Sequence, residues 1–489
     1  MELRRFRRTA AMGTLVVLCG ALPAAAQAPA RLVKDIPTRP RVETFGGAAP
    51  FGSEIVFGAY ELWKTDGTEA GTVMIKDINP LERSYPHKFQ VVGGTVWFVA
   101  DDGVHGNELW RTNGTEAGTE LFADILPGPD GSEPELKAAG SLLFFSADDG
   151  TGPKLWRTDG TAPGTFVVTP PTVTEIRQFS LAAAGNLVYF SGRDATRRQP
   201  WRSDGTSEGT FRLAEIDPGG GDAYNLVFSG RDDGSAFFLA REFASGTRLW
   251  KTDGTVGGTA YVAGPEISPG FFVDPIQLKT TTDGRAYFVA NSFNPDYTVN
   301  GSNLWVSDGT AAGTSLVKGH TQSISQGLFD SLITLLGMSR GLLYYSSWDE
   351  NFHSSYRSDG TPAGTFNVPI GLPPYVVTLN GTTVAPAGVY SPSIYATDGT
   401  VAGTRRLMTA SHGLCGVVAD DYMVTGLWRF DLTHSAETDL QPVDVESGAD
   451  GVYAADFFPR GKTIEVGGAL LYASSSGALW RSDGSDAGT

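Results

Sequence analysis

Cysteine is almost absent from this chain. Only Cys19 and Cys415 occur among 489 residues, and Cys19 falls in a segment that we expect to be removed. An intramolecular disulfide is therefore excluded, and the fold must depend on its hydrophobic core.

Basic residues are also few. The chain has 37 Lys and Arg against 54 Asp and Glu, which gives a net charge of −17 at pH 7. Nucleic acid and anionic membranes are poor partners for such a chain, because phosphate contacts need Lys and Arg.

Long apolar runs and familiar catalytic motifs are missing as well. No run after the N-terminal segment is long enough to cross a bilayer, so we predict no transmembrane segment. The six histidines are scattered, and the chain has no His-Glu-x-x-His motif, no Gly-x-Ser-x-Gly elbow and no Walker loop. These absences favour a non-enzymatic protein over an enzyme.

Residues 1–26 are predicted to be a secretory signal peptide. Four arginines within the first eight residues precede the apolar run AAMGTLVVLCGALP and the small-residue stretch AAAQA. Cleavage after Ala26 removes four arginines and one glutamate, so the net charge of the mature chain, 27–489, becomes −20. A lipoprotein modified at Cys19 is an alternative. We expect a monomer that is secreted, periplasmic or on the cell surface.

A repeated segment dominates the rest of the chain. ELWKTDGTEAGT at 61–72 returns as ELWRTNGTEAGT at 108–119, and the last residues, ALWRSDGSDAGT, resemble both. Tyr356 and Tyr395 replace Trp in two copies, and a degenerate copy at 427–438 keeps Trp428. Ten copies recur about every 46 residues, a period typical of β-propeller blades. The tryptophans of the regular copies are Trp63, Trp110, Trp156, Trp201, Trp250, Trp305 and Trp480.

One copy predicts four strands. KFQVV and TVWFVA flank the hairpin turn Gly93-Gly94, and ELWRT and ELFADI flank the segment NGTEAGT. No segment shows a sustained helical period, and runs such as WFVA and LLFF are apolar on both faces, as blades packed between two neighbours require. The sequence predicts an all-β fold, a single closed β-propeller of about ten four-stranded blades over 27–489. Two smaller rings are an alternative.

The Asp-Gly-Thr turn of the repeat has a structural interpretation. Asp can accept hydrogen bonds from the backbone two residues on, Gly supplies a positive φ, and Thr suits the strand that resumes. The alternative is that each aspartate is a metal ligand or a catalyst, but an element present in every blade is normally what builds the blade. The repeat aspartates are Asp66, Asp159, Asp204, Asp253, Asp308, Asp359, Asp398 and Asp483.

These strings resemble a known repeat. ELWKTDGTEAGT and ELWRTNGTEAGT look like the repeats of the ELWxxDGT family of exported bacterial proteins, and the similarity covers essentially the whole mature chain. The resemblance implies a bacterial extracellular protein built of propeller-like repeats, and it implies no particular activity. The turn is also similar, more distantly, to the Asp-box hairpin of sialidase-like propellers, which joins the third and fourth strands of a blade.

The two ends of the sequence complement each other. Complete copies continue into a fourth strand such as VMIKDI or ELFADI, whereas the last copy stops at Thr489 before it. RLVKDI at 31–36 has the pattern of that strand. We predict that residues 31–36 pair with the C-terminal repeat and close the ring, which leaves no open sheet edge.

Candidate metal ligands lie in loops between second and third strands. The carboxylate pairs Asp101/Asp102 and Asp148/Asp149 could contribute to a Ca²⁺ site, since Ca²⁺ takes six to eight oxygen ligands. No EF-hand loop or Gly-Gly-x-Gly-x-Asp repeat supports this, and solvated turn aspartates are the alternative. No other cofactor is implied.

Candidate ligand-binding residues lie in two further inserts. WDENFHSSY offers Trp348, which could stack on a sugar, together with Asp349 and His353. GRDATRRQ offers Arg193 and Arg197. The alternative is that Trp348 only packs a loop, and no catalytic residue is assigned.

The leading functional hypothesis is a secreted, non-enzymatic propeller that binds extracellular protein or glycan through its variable loops. A carbohydrate-active enzyme, a hydrolase or lyase with its site at the central channel, is the second hypothesis. A structural module of the cell surface or matrix is the third.

Overall fold

All regular structure in the described part of the computed structural model is β-strand. None of the residues there forms a helix that could span a bilayer. The predicted signal peptide, Cys415 and Asp483 lie outside the described residues. The structure describes residues 31–34, 45–66, 70–71, 73–178, 180–216, 221–242, 246–262, 277–281, 283–293, 299–321, 333–349, 352–370, 377–379, 382–387, 393–409, 416–419, 422–425, 428–431, 464–466, 469–473 and 479–482.

The predicted four-stranded unit is confirmed. His87–Val92 and Thr95–Asp101 are joined by the turn at Gly93-Gly94, where both glycines have positive φ, and Asn107–Thr112 and Glu120–Ala123 follow. All neighbouring strands are antiparallel. The fourth strand is shorter than the predicted 120–125, because the chain then turns so that the backbone N–H of Leu126 can donate to the Glu108 carboxylate at 2.9 Å.

Within the described residues the strands form ten antiparallel sheets, numbered here in chain order. The first sheet comprises Phe45–Phe51, Glu54–Ala59, Glu61–Thr65 and Val73–Lys76, and the second is given above. The third comprises Glu135–Ala139, Leu142–Asp148, Pro153–Thr158 and Phe166–Val167, and the fourth has five strands, Val173–Ile176, Ala182–Ala184, Leu187–Asp194, Arg198–Ser203 and Phe211–Arg212. The fifth comprises Tyr224–Gly230, Ala236–Glu242, Gly246–Thr252 and Ala260–Tyr261.

The remaining sheets follow the same order, and the ninth has three strands among the described residues. The sixth sheet comprises Leu278–Thr280, Ala286–Phe293, Val299–Ser307 and Ser315–Thr321, and the seventh comprises Ile333–Ser339, Leu342–Asp349, Phe352–Ser358 and Phe366–Val368. The eighth comprises Val377–Leu379, Thr382–Ala387, Ser393–Thr397 and Arg405–Thr409, and the ninth comprises Gly416–Ala419, Tyr422–Thr425 and Trp428–Asp431. The tenth comprises Ile464–Val466, Ala469–Ala473 and Leu479–Ser482, and Arg31–Lys34 completes it.

The tenth sheet draws strands from both ends of the chain. Arg31–Lys34 pairs antiparallel with Leu479–Ser482, with Arg31 opposite Arg481 and Leu32 opposite Trp480. Arg31–Lys34 thus occupies the fourth-strand position of that sheet, as the RLVKDI pattern predicts.

The sheets pack against their neighbours through apolar faces. Trp97 and Val99 of the second sheet lie in one buried cluster with Leu143 and Phe145 of the third, and similar clusters join other consecutive sheets. Ile464–Val466 of the tenth sheet contacts Phe45–Phe51 of the first. Burial from both sides explains why the second strands are apolar at consecutive positions.

The repeated aromatic residue stacks within its own sheet. Trp156 lies parallel to Phe145 of the neighbouring second strand, with ring centroids 6.1 Å apart. Where Tyr356 replaces Trp, it stacks on Tyr345 at 5.1 Å. The other stacked pairs are Phe98–Trp110, Phe190–Trp201, Phe238–Trp250 and Phe288–Trp305.

The hairpin between third and fourth strands is organised by its aspartate. Asp159 Oδ1 accepts hydrogen bonds from the backbone N–H of Thr161 at 2.9 Å and from its hydroxyl at 2.7 Å, while Gly160 has a φ of +93°. A Cβ on Gly164 would lie 2.0 Å from Asp159 Oδ1, so the second glycine of the motif makes room for the carboxylate. The hairpins at Asp204, Asp253, Asp308, Asp359 and Asp398 repeat these contacts, as does the one at Asn113.

The two inserts that carry the candidate ligand-binding residues are partly strand. The pairing of second and third strands continues to Arg193–Arg198 in the fourth sheet and to Asp349–Phe352 in the seventh. Their polar composition suggested loops, but the residues up to these positions each have an opposite partner in the ladder.

Candidate functional site

The connections of each sheet fall on two sides. The turns between first and second strands and the Asp-Gly-Thr hairpins lie on one side and are short. The loops between second and third strands, such as 102–106, 149–152 and 195–197, lie on the other, which we call the loop face. Chemical variety is concentrated on the loop face, as is usual for binding loops on a constant scaffold.

The loop of the second sheet holds an aspartate–histidine pair. Asp102 Oδ1 accepts the backbone N–H groups of Val104 and His105, both at 2.9 Å, and its Oδ2 lies 2.7 Å from Nδ1 of the His105 ring. An ionised carboxylate can only accept, so Nδ1 carries the proton that bridges the pair. The ring's other nitrogen, Nε2, bonds to none of the described residues, and the side chain is 34% exposed.

The electrostatics of this pair make the His105 ring a stronger base. The hydrogen bond that the His105 ring donates to Asp102 raises the pKa of His105, and the nearby carboxylates of Asp124 and Glu108 add to the rise. Partial burial raises the pKa of Asp102, but the hydrogen bonds from the His105 ring and backbone outweigh it and lower this pKa below its ordinary value. The arrangement therefore fixes the tautomer of His105 and stabilises its protonated form.

Glu108, the first residue of the ELW motif, connects the end of the same loop to a neighbouring segment of the chain. The Glu108 side chain is fully buried, and its carboxylate accepts hydrogen bonds from the backbone N–H of Leu126 and from the Ser132 hydroxyl at 2.6 Å. Burial raises the pKa of Glu108 despite these bonds. The third strand of the second sheet is thereby tied to the segment that leads into the third sheet.

Backbone contacts complete that tie. The carbonyl oxygen of Asn107 accepts the N–H groups of Ser132 and Glu133, both at 3.1 Å. A Cβ on Gly106 would lie 2.5 Å from the backbone nitrogen of Gly131, so the two segments touch without side chains between them. The loop that carries His105 is packed directly on its neighbour.

A second polar group adjoins this loop. The Asn107 side chain donates to Glu133 at 2.5 Å, and Lys88 Nζ lies 3.8 Å from carboxylate oxygens of both Glu133 and Glu135. Lys88 and Glu133 both have positive φ, at 56° and 48°. Tyr85, at the position equivalent to Glu133 between the first and second sheets, has a positive φ of 45° as well, so this strained turn belongs to the repeated scaffold. Asp102, His105, Asn107, Glu133 and Lys88 together are called the loop patch below.

The predicted metal ligands serve as turn aspartates in the described structure. Asp101 accepts the N–H of Gly103 at 2.7 Å, Asp148 accepts those of Gly150 and Gly152, and Asp149 accepts that of Thr151 and lies 3.5 Å from Lys154 Nζ. No three His, Cys, Asp or Glu side chains in the described ranges converge as a metal site requires. Of the four predicted ligands, Asp102 alone lies beside a histidine.

The predicted arginines form ion pairs on the loop face of the fourth sheet. Arg193 pairs with Asp222, and Arg197 Nη1 lies 2.7 Å from Glu215. Their charges are therefore matched within the chain. Trp348 lies opposite His353, and Asp349 lies opposite Phe352, at the end of a strand pair. The structure places Trp348, Asp349 and His353 on one hairpin of the seventh sheet, apart from the loop patch.

The sequence places Glu108 in the repeat and His105 among the six scattered histidines, and it predicts no role for either. A signal was present: Ser-Tyr-Pro at 84–86 and Ser-Glu-Pro at 132–134 follow Glu61 and Glu108 at nearly equal distances. In both places the serine hydroxyl donates to the glutamate at 2.6 Å.

Comparisons with known proteins identify no close relative. No family model matches the chain, and no curated protein matches it. Among solved structures, a puromycin hydrolase complexed with PGG is 16% identical over 68% of this chain and 55% of its own, with a TM-score of 0.34. Prolyl endopeptidases are 12% identical over 72% and 54%, at 0.38, and a putative TolB from Agrobacterium tumefaciens is 11% identical over 45% and 80%, at 0.29. The chain spans little more than half the length of the first two.

These comparisons correct one expectation. The chain was expected to be a non-enzymatic binding scaffold, but the similar solved structures include a puromycin hydrolase, prolyl endopeptidases and the tricorn protease. We therefore withdraw the non-enzymatic interpretation. With TM-scores of 0.38 or less, these structures assign no activity to this chain.

Proposed function

We propose that this chain is an exported carbohydrate-active hydrolase in which His105, oriented by Asp102, is the general base. The observation that carries the proposal is the 2.7 Å hydrogen bond between Asp102 Oδ2 and His105 Nδ1, which leaves Nε2 to face solvent. In its neutral form, the ring held in one tautomer by a carboxylate can take a proton at Nε2 from a water molecule as the water oxygen bonds to the anomeric carbon of a sugar. The glycosidic carbon–oxygen bond breaks in the same step, and the oxygen of the leaving sugar takes its proton from solvent water. The carboxylate then stabilises the imidazolium that forms.

The proposed scaffold is a single closed β-propeller of ten blades from the ELWxxDGT repeat family. The pairing of Arg31–Lys34 with Leu479–Ser482 and the contact between the tenth and first sheets support closure. The motif strings and the predicted signal peptide support the family and export. Closure would hold the loop patch on a scaffold without free edges.

The charges around His105 favour a neutral or cationic glycan. Asp102, Asp124 and Glu108 surround the ring with negative charge, and Lys88, the cation of the loop patch, lies beside Glu133 and Glu135. A uronate would be repelled at such a site. Eliminative cleavage requires a proton made acidic by a neighbouring carboxylate or carbonyl of the sugar, so exclusion of uronates favours hydrolysis over the lyase alternative.

The test is a substrate panel offered to the purified mature chain. We expect new reducing ends from a neutral or cationic polysaccharide, and none from a uronate polymer. Unsaturated sugar ends would establish a lyase instead, and cleavage of peptide substrates alone would reassign the enzyme to peptidases. No turnover of any substrate class would overturn the enzymatic proposal.

A further inference from the structure

We infer that Glu108 is a positioning residue, which holds the loop of His105 in its working geometry through Ser132. The activity part of this inference rests on the proposed function, but the positioning itself rests on contacts alone. Glu108 lies three residues after His105, at the start of the third strand, and is fully buried. Its carboxylate has no cation within salt-bridge distance among the described residues, so its hydrogen bonds are its stabilisation.

Hydrogen bonds join the end of the His105 loop to the segment between the second and third sheets. Leu126 and Ser132 donate to the carboxylate of Glu108 from the segment between the second and third sheets. Ser132 and Glu133 donate their N–H groups to Asn107, between His105 and Glu108. Four hydrogen bonds therefore hold Asn107 and Glu108, the residues that end the loop of His105, to the segment between the second and third sheets. Rigid support of this kind decides whether a catalytic base stays within reach of its substrate.

The first sheet provides an internal control. Glu61 accepts the N–H of Ile78 at 2.8 Å and the Ser84 hydroxyl at 2.6 Å, and Tyr60 accepts the N–H groups of Ser84 and Tyr85. The support is therefore of the same kind, and Glu61 also accepts the backbone N–H groups of Asn79 at 3.4 Å and Ser84 at 3.0 Å. The second and third strands are separated there only by Tyr60, however, so no loop and no histidine are held by it.

The difference between the two sheets gives the inference a readout beyond stability. A purely structural role predicts that Glu61→Gln and Glu108→Gln have equal consequences. A positioning role predicts that only Glu108→Gln changes the environment of the His105 ring. The carboxylates that face His105 are those of Asp102, Asp124 and Glu108, and of these the substitution removes only the last.

The experiment is an NMR titration of the His105 ring in the full mature chain, with its signal assigned by its loss in His105→Gln. We expect Glu108→Gln to lower the pKa of His105 and to reduce kcat about tenfold or more with KM nearly unchanged. Glu61→Gln should leave both at wild-type values. An unchanged His105 titration in Glu108→Gln, or equal changes in both variants, would overturn the inference.

A second pair of variants tests the inference even if Glu108→Gln does not fold. Ser132→Ala keeps the charge of Glu108 and removes one donor, and Ser84→Ala does the same at Glu61. Amide exchange at residues 102–106 should accelerate in Ser132→Ala only, and equal exchange in the two variants would overturn the inference. If His105 responds as expected in a protein that turns over no substrate, the positioning inference stands and the proposed hydrolase fails.

Discussion

Leu32 lies opposite Trp480 in an antiparallel strand pair that joins the first described strand to the last. In sheets one to eight the last strand follows its neighbour within the same repeat. In the tenth sheet this local connection is replaced by one between distant parts of the chain. Its contribution is to remove the free edge that the third strand would otherwise present.

Deletion of residues 31–36 should therefore destabilise the whole protein. We expect a clear fall in the melting temperature measured by calorimetry, since the tenth sheet loses its fourth strand. Deletion of residues 27–30, which precede the strand, is the matched control. Equal melting temperatures for wild type and both deletions would rule out a closing role for this pair.

Two adjacent glycines in one hairpin should respond in opposite ways to alanine. A Cβ on Gly258 would lie 2.0 Å from Asp253 Oδ1 and would displace a carboxylate that bonds both the N–H and the hydroxyl of Thr255. Gly258→Ala should cost about 1–3 kcal/mol of unfolding free energy. A Cβ on Gly257 meets no atom within 4 Å, so Gly257→Ala should be neutral or slightly stabilising. Urea unfolding measures both, and similar losses would contradict this account of the motif.

Acid should destabilise the protein through the hairpin aspartates. Hydrogen bonds from the Thr side chain and backbone lower the pKa of Asp159, Asp253, Asp308 and Asp398 below the ordinary 3.8. A lowered folded-state pKa means that the stabilisation is present above the unfolded-state pKa and is lost as pH falls through the folded-state value. We expect the melting temperature to fall steeply below about pH 4.

Asn113 supplies the control for this pH dependence. Its Oδ1 accepts the same bonds, from the N–H of Thr115 at 3.1 Å and the hydroxyl at 2.7 Å, without an ionisable group. Replacement of Asp159, Asp253 and Asp308 by Asn should change stability little at pH 7 and flatten the acid limb of the stability profile. If the stability of these variants falls with decreasing pH as steeply as that of the wild type, the acid sensitivity arises from groups other than the hairpin aspartates.

The pKa of His105 should depend on Asp102 and not on the equivalent aspartate of the next sheet. Asp102 raises the pKa of His105 through its hydrogen bond, so Asp102→Asn should lower that pKa toward the ordinary value. Asp149 occupies the corresponding turn of the third sheet, where its partners are Thr151 and Lys154. Asp149→Asn should leave the NMR titration of His105 unchanged, and a shift there would contradict the assignment of the pair.

Much of the fold could be predicted from the sequence because the repeat carries its own structural cues. Gly93-Gly94 marks a hairpin, and the aromatic residue of ELW marks the third strand. The pairing of Arg31–Lys34 with the last repeat followed from a shared strand pattern. Extension of strands through Arg193 and Trp348 could not be predicted, because polar and charged residues on a ladder look like a loop in sequence.

The candidate site could be predicted only in part. Asp102 was recognised as an acidic loop residue, but its partner His105 became visible only when a tight turn brought the two side chains together. Glu108 was attributed to the repeat, and its role depends on Ser132, which lies 24 residues further along the chain. The repeated Ser-x-Pro spacing marks the Glu–Ser contact, but nothing in the sequence links that contact to His105.

The turnover of one accepted glycan tests whether His105 is the general base. With Asp102→Asn, Asp149→Asn and His105→Gln compared at equal folding, His105→Gln should lower kcat about 10²–10⁴-fold. Asp102→Asn should also lower kcat strongly, and Asp149→Asn should retain wild-type turnover. Full activity in His105→Gln would show that His105 is not the general base.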